Sequence, residues 1–387
     1  MNHDYDVVVL GLGAIGSGAA YWLAKRGARV LGLEQFEFGH ARAASHDHSR
    51  IIRLSYHAPN YVRLAKEAYA AWDAVERDSG TKLIYKTGGL YLGPRHGAIP
   101  LEDYAGSMRA CHVPFEELDA HEIRRRFPQF RIADDVHGLF QSDTGLVAAE
   151  RATATHQKLA RELGATLLEH ATAGAIQSFG GQIVVQSDHR RWTAGSLIVA
   201  AGPWTARALS HFDVSIPLET TKEQHMYFRS PLLHDFAIGR FPVWIWIDDP
   251  SFYGFPVFGE PAVKATQDAG GKRVDPDARD FESDPDITAR VRAFLETHLP
   301  SALGPEHLVK TCLYTSPPDR DFILDSLPEH PNVHVAVGGG HGFKFASVIG
   351  RIFSDLVVDG TTASDISGFA IDRPILTTQS SPKTYRL

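Results

Sequence analysis

The stretch Gly11-Leu12-Gly13-Ala14-Ile15-Gly16 has the spacing of a loop whose backbone can close on a phosphate. It follows an apolar, β-branched run, Asp6 to Leu10, that reads as a buried parallel strand. It opens a segment, Ala14 to Arg26, with apolar residues at helical spacing, and Gly27 suits the helix end. A second strand, Arg29 to Leu33, is closed by Glu34. In this context the glycines have separate duties. Gly11 permits the tight turn, Gly13 lets backbone approach a pyrophosphate, and Gly16 lets the helix pack on the strand. The helix start at Ala14 and Ile15 offers N–H groups to the phosphates, and Glu34 accepts hydrogen bonds from a ribose diol. The implied chemistry is dinucleotide binding, and the motif does not distinguish NAD from FAD.

A second reactive group lies in "SHDHSRIIRLSY", Ser45 to Tyr56. Arg50 and Arg53 are three apart, so a helical turn would put them on one face. The guanidinium fork suits a carboxylate. Histidines 40, 46 and 48 do not make a metal site, because no carboxylate or thiol at ligand spacing completes one. Far downstream, "GHGFK" puts Lys344 after a glycine-rich turn at a helix start, where N–H groups favour an anion. The chain has 2 cysteines. Cys312 sits in "KTCLYT"; taken alone, a buried cysteine is a small hydrophobe. Cys111, in "MRACHVPFEE", reads as a structural thiol.

The elements that must carry these residues are legible in outline. Residues 59–80 read as an amphipathic helix with Leu64, Ala68 and Trp72 four apart. Residues 85–93 read as a hairpin and 149–164 as another helix. Gly195 to Trp204 is a second apolar strand running into a glycine turn, expected to rejoin the first sheet. Between about 213 and 309 the texture becomes aromatic and alternating, as in an antiparallel sheet. The segment "VHVAVGGGHGFKFASVIGRIFSDLVVDG" then repeats strand, glycine turn and helix. The nucleotide domain is therefore expected to be split, with the intervening pieces building a substrate half.

A chain of 387 residues is long enough for two domains. Its 43% apolar and 22% charged residues are those of a soluble globular protein. A net charge of -7, from 39 basic and 46 acidic residues, argues against a nucleic-acid binder. Two distant cysteines fit a reducing compartment. The N-terminus does not read as a signal peptide, no stretch reads as a membrane span, and the final "KTYRL" is not of the peroxisomal Ser-Lys-Leu type. The expectation is a cytoplasmic enzyme with no membrane or nucleic-acid partner.

With these pieces together the sequence resembles the monomeric sarcosine oxidase family, which includes N-methyltryptophan oxidase. These are flavoenzymes that oxidise secondary amino acids. The resemblance spans nearly the whole chain. It rests on "GLGAIG", "SHDHSRIIRLSY", "YGFPVFG" followed by Lys264, "CLYT", "DRDFILD" and "GHGFKFAS". It implies an α/β fold (α+β overall). A Rossmann-like FAD-binding domain would come from 1–85, 141–212 and 310–387, and a substrate domain with a mainly antiparallel sheet from 86–140 and 213–309. It implies FAD, held by the Gly11–Gly16 loop, Glu34, Gln35, Ser45, Arg50, Gly202, Trp204, Gly340, His341, Gly342 and Lys344. It places on Cys312 a covalent thioether to the flavin's 8-methyl carbon, for which a thiolate is the nucleophile.

The same resemblance assigns the remaining roles. Arg50 and His46 approach the flavin, while Arg53 and Lys344 grip the substrate carboxylate. Tyr253, Tyr314 and Trp244 line the substrate cavity, whereas Trp246 reads as core. Lys264 lies over the opposite flavin face, where a buried cation would stabilise developing superoxide. Three departures touch the substrate: Asp268 replaces a family histidine, His48 stands where an acid is expected, and "AVGGGHGFK" is one residue shorter. The implied reaction takes a secondary amino acid and O2 to an imine and hydrogen peroxide, the imine then hydrolysing to an aldehyde and a primary amino acid. The flavin does the redox chemistry and the protein orients the substrate. A monomer is expected. Fructosyl amino acids and cyclic imino acids such as pipecolate or proline stay open as substrates. Outside the class, an NAD-dependent dehydrogenase or a non-oxidase electron-transfer flavoprotein also stays open.

Overall fold

The computed structural model describes residues 3–187 and 190–377. The final residues "KTYRL" lie outside the described residues. Three sheets and the helices between them carry the site.

The first sheet has 8 strands. At its centre Tyr5–Leu10 runs parallel to Val30–Leu33 on one side and to Arg190–Val199 on the other. Thr166–Leu168 extends it beyond Val30–Leu33. The strand Arg190–Val199 forks: its first half pairs antiparallel with Gln182–Ser187, and its end pairs parallel with His330–Val337. The two late strands thus rejoin the N-terminal one, because each offers an uninterrupted apolar run that a sheet covered on both faces can bury.

The glycine loop turns the chain from Tyr5–Leu10 into the helix Ala14–Lys25. Gly11 has φ +84, and a Cβ on Gly16 would lie 1.9 Å from the Gly11 carbonyl oxygen. No other residue fits that contact, so helix and strand approach as closely as they do only at glycine. The late helix Ala346–Asp359 packs on the same helix through Gly350 and Gly18.

The second sheet has 9 strands and is largely antiparallel. Its run includes Glu219–Phe228, Val263–Gln267, Phe252–Phe255 and Val243–Trp246. Glu306–Ser316, the strand of Cys312, pairs with Glu219–Phe228 along its length. The aromatic alternation of this region fills one core, with Trp244, Phe252 and Phe294 stacked. A small third sheet joins Ser49–Ile52, Gly145–Ala148 and Ile84–Lys86.

Two local expectations change. Residues 85–93 are not a hairpin. Ile84–Lys86 belongs to the small sheet, while Gly89–Pro94 pairs with Val136–Gln141 and Val243–Trp246. The turn chemistry at Gly88, φ +73, is real, but it carries the chain from one sheet to another. Arg50 and Arg53 do not lie on a helical turn: Arg50 is in the strand Ser49–Ile52 and Arg53 follows its end. Isoleucines at 51 and 52 favour the strand.

Candidate active site

One continuous cavity runs from the end of Val30–Leu33, past the glycine loop and the segment Ala43–His46, into a chamber under the second sheet. Its first half is built around Glu34. One carboxylate oxygen accepts from the Leu12 N–H at 2.9 Å and the other from the Phe36 N–H at 3.1 Å. Burial would raise this carboxyl, but His40 and the two N–H groups hold it below its usual value. Ser45 Oγ accepts from the Ala14 N–H at 2.9 Å, fixing the following loop against the helix start. A Cβ on Gly13 would press on that same oxygen at 2.8 Å. Gln35, Gly202 and Trp204 complete this end of the wall. A charged strand end, a glycine-lined turn and a helix N-terminus opening on one long cavity fit a dinucleotide such as FAD.

Arg50 clamps the loop between the halves. Its guanidinium donates to the carbonyls of Ser49, Ala44 and His46 at 2.9, 2.9 and 2.8 Å. Burial, with Arg50 close by, pushes the His46 imidazole down to about 3, so it is neutral.

The chamber carries Arg53 and Lys344, brought together from 291 residues apart by the strand end at Ile52 and the turn Gly342–Phe345. Arg53 is 2% exposed, lies 4.5 Å above the Tyr56 ring, and leaves Nε and Nη1 without a hydrogen-bond partner among the described residues. Lys344 donates to the His341 carbonyl at 2.9 Å. Burial, with Arg53 nearby, pushes its ammonium well below the ordinary range. Arg53 keeps its charge in this poorly hydrated chamber and has donors to spare, and an arriving anion would favour the charged form of Lys344, so the pair makes an anion site. Tyr253 and Tyr314 face them, their hydroxyls 3.3 Å apart, and the Tyr314 ring packs on Gly340. Asp268 also lines the chamber, one oxygen 3.1 Å from Arg320 and the other with no hydrogen bond among the described residues.

Beneath the chamber lies a charge cluster that the sequence reading did not anticipate. Its hub is Asp47, fully buried with φ 84. The carboxylate takes Lys264 Nζ at 2.5 Å and the Tyr227 hydroxyl at 2.7 Å, with Lys310 at 3.4 Å and Arg50 at 3.5 Å. Burial opposes its charge, yet Lys264, His225 and Arg50 hold the carboxyl far below its usual range. For Lys264 burial wins over Asp47, and the ammonium is pushed down to about 8. The only sequence signal for this hub was an acid among the histidines of "SHDHSR"; its partners lie far along the chain.

Most residues singled out in the sequence meet here: His46, Arg50, Arg53, Tyr253, Lys264, Tyr314, His341, Gly342 and Lys344 all line the cavity. Trp244 does not. It is fully buried in the second core, stacked on Phe294 at 5.6 Å and edge-on to Phe130. Strand alternation turns its neighbour Ile245 to the cavity instead. Cys312 is fully buried beside the wall formed by Leu313, Tyr314 and Thr315, on the strand face it shares with Tyr314. Burial, opposed by Arg50, pushes its thiol up to about 12. Among the described residues no group of three or more His, Cys, Asp or Glu is placed to hold a metal ion, and no helix is long and apolar enough to cross a membrane.

Comparison with known proteins agrees with this architecture. Residues 6–356 match the family described as FAD dependent oxidoreductase. Monomeric sarcosine oxidase of Arthrobacter sp. (strain TE1826) is 32% identical over 382 residues, covering 97% of this chain and 98% of the relative. The protein of that name from Streptomyces avermitilis is 36% identical, over 95% of this chain and 97% of its own length. Among solved structures, the Tyr258Phe mutant of NikD, an unusual amino acid oxidase essential for nikkomycin biosynthesis, superposes with a TM-score of 0.85 at 29% identity, covering 95% of this chain and 97% of that one.

Proposed function

This chain belongs to the FAD dependent oxidoreductase family, and from that premise we propose that it is an FAD-dependent oxidase of N-substituted amino acids. It acts on the CH–NH bond of a secondary amine, with dioxygen as acceptor and hydrogen peroxide as product. The observation that carries the reading is the pairing of Arg53, whose Nε and Nη1 have no partner among the described residues, with buried Lys344 in the cavity onto which the glycine loop opens.

When bound, FAD supplies the two-electron acceptor. Arg53 and Lys344 hold the substrate carboxylate, which fixes the rest of the molecule in the chamber. Their charge also disfavours protonation of the nearby amine, and the amine must be neutral to be oxidised. The Tyr253 and Tyr314 hydroxyls stand at the same end as hydrogen-bond partners, and Ile245 and Phe255 keep that wall apolar. On the other side, Lys264 is the positive charge available to a developing anion, held in place by Asp47 and the Ser49 carbonyl. Cys312 is the proposed point of thioether attachment. The division into a discontinuous FAD-binding domain and a substrate domain is part of this proposal, as are a monomeric state and a cytoplasmic location.

One observation favours a particular substituent. Asp268 offers a carboxylate oxygen to the chamber without a partner among the described residues, so the group on the substrate nitrogen would carry a hydrogen-bond donor, as a fructosyl amino acid does. The test is the purified protein's absorption spectrum, followed by peroxide release from sarcosine, N-methyl, cyclic and fructosyl amino acids. A colourless protein that does not bind added FAD, or no peroxide from any of these, overturns the proposal.

A further inference from the structure

The charge cluster contains a histidine to which the proposed oxidation assigns no step. His225 is 2% exposed and sits on Glu219–Phe228, the strand that pairs with the strand of Cys312. Its Nε2 lies 3.9 Å from Cys312 Sγ and 3.4 Å from the Tyr253 hydroxyl, which can turn its proton to the Tyr314 hydroxyl at 3.3 Å and leave the nitrogen's lone pair to the thiol. Its Nδ1 lies 3.7 Å from Asp47 Oδ2 and makes no hydrogen bond among the described residues. Thiol, imidazole and carboxylate therefore stand in a row, all three buried. The carboxylate end is itself fixed by Tyr227 and Lys264.

A buried thiol does not ionise by losing its proton to water. An imidazole with one nitrogen on the sulfur and the other toward a carboxylate is the arrangement that takes such a proton. The imidazolium so formed faces the Asp47 charge, and the thiolate faces Arg50 and Lys264. Burial, with Lys264 and Arg50 nearby, holds the imidazole well below its ordinary range, so the transferred proton is held only transiently, steadied by Asp47, and the transfer is drawn forward by S–C bond formation. A histidine placed here only for packing would occupy the volume equally well as a leucine, without the cost of burying an unpartnered nitrogen.

We propose that His225 is the general base for covalent attachment of the flavin to Cys312, with Asp47 as its positioning residue. The inference rests on the reading of Cys312 given above. In the step, the S–H bond breaks with its proton passing to His225 Nε2, and a C–H bond of the flavin's 8-methyl group breaks. An S–C bond forms. The two electrons released reduce the ring, and dioxygen then accepts them with two protons as hydrogen peroxide. The attached ring returns to its oxidised state, and His225 returns to neutral imidazole.

The experiment uses the full chain produced in a riboflavin-starved host, then mixed with FAD in air. Flavin that stays with the acid-precipitated chain is measured against time. Non-covalent binding is measured separately, from the change in flavin fluorescence on mixing. Wild type, His225→Leu, His225→Gln and Cys312→Ala are compared. His225→Leu and His225→Gln are expected to bind FAD while attaching it at least about 100-fold more slowly, and added imidazole is expected to speed attachment in a His225→Gly variant. Attachment at the wild-type rate in His225→Leu and His225→Gln overturns the role of His225 alone. Loss of FAD binding in both makes His225 a structural residue and equally overturns it. Wild-type chain that never retains flavin after acid overturns the Cys312 reading itself, and this inference with it.

Discussion

Replacing Arg53 by methionine separates what a side chain does for the fold from what it does for the ligand. Arg53 is 2% exposed, leaves two nitrogens without partners among the described residues, and has the Tyr56 ring as a close neighbour. A buried charged donor left unsatisfied costs about 1–3 kcal/mol or more. Methionine fills nearly the same length with no donors, so Arg53→Met should stabilise the ligand-free holoprotein by about that amount. At roughly 2 °C per kcal/mol for a chain of this size, the melting temperature should rise by about 2–6 °C. Binding should move the other way. A charge-assisted contact to a carboxylate is worth about 1.5–3 kcal/mol, so the apparent KM should rise by roughly 10- to 100-fold. The assay is calorimetry of the FAD-loaded protein with and without a non-oxidisable carboxylate, alongside steady-state kinetics. In wild type the carboxylate should raise the melting temperature, and in Arg53→Met that rise should largely vanish. A variant that melts lower than wild type, yet keeps its KM and its response to carboxylate, refutes the assignment. Arg53 would then be holding the structure rather than a substrate.

Three further outcomes follow from the same geometry. Cys312→Ala should give a band without flavin fluorescence on a denaturing gel, where wild type fluoresces; a dark wild-type band removes the attachment site. Lys264→Met should still be reduced by substrate without oxygen but be reoxidised by air at least about 100-fold more slowly, about 2.7 kcal/mol of lost stabilisation. Because burial, opposed by Asp47, leaves Lys264 near 8, it is charged below that pH, and the wild-type reoxidation rate should fall as pH rises through about 8. Stopped-flow absorbance of the two half-reactions reads both effects, and a flat pH profile with an unaffected Lys264→Met rules out the oxygen role. Glu223, pushed up to about 7 by burial despite the Thr221 hydroxyl, binds a proton in the folded chain that the unfolded chain releases near 4.5. Its contribution should therefore be lost as pH rises from about 4.5 to 7, by up to about 3 kcal/mol. Chemical denaturation of Glu223→Gln across that range should show a flatter profile than wild type, and identical profiles would dismiss the shift.

Some of this protein was legible residue by residue. The strand, glycine loop, helix and acid from Tyr5 to Glu34 form a unit whose contacts close within one short segment: the Leu12 N–H reaches Glu34 22 residues away. Spacing and residue type suffice for such a unit, because helix, turn and strand hydrogen bonds pair near neighbours. The helix Pro59–Ser79 and the strand–turn–helix at His330–Asp359 were legible for the same reason. The wall residues Arg53, Lys264, Tyr314 and Lys344 were named by resemblance to a family, while their shared cavity is a property of the folded chain.

Only the tertiary structure decided which strands pair and which way their faces turn. The turn at Gly88 was visible, but its flanking strands joined different sheets, because each found its apolar partner elsewhere in the chain. Trp244 and Ile245 are equally apolar in the sequence; alternation sends one into the Phe294 stack and the other to the cavity, and the register with Gly89–Pro94 and Phe252–Phe255 chooses between them. Asp47 is the sharpest case. An acid beside histidines in a loop has no identity until Tyr227, Lys264 and Lys310 arrive from residues 180, 217 and 263 positions away. A buried charge is tolerated only where opposite charges and donors surround it. Those neighbours come from strands held together by the second sheet, so the cluster could not be read from the spacing of its members along the chain.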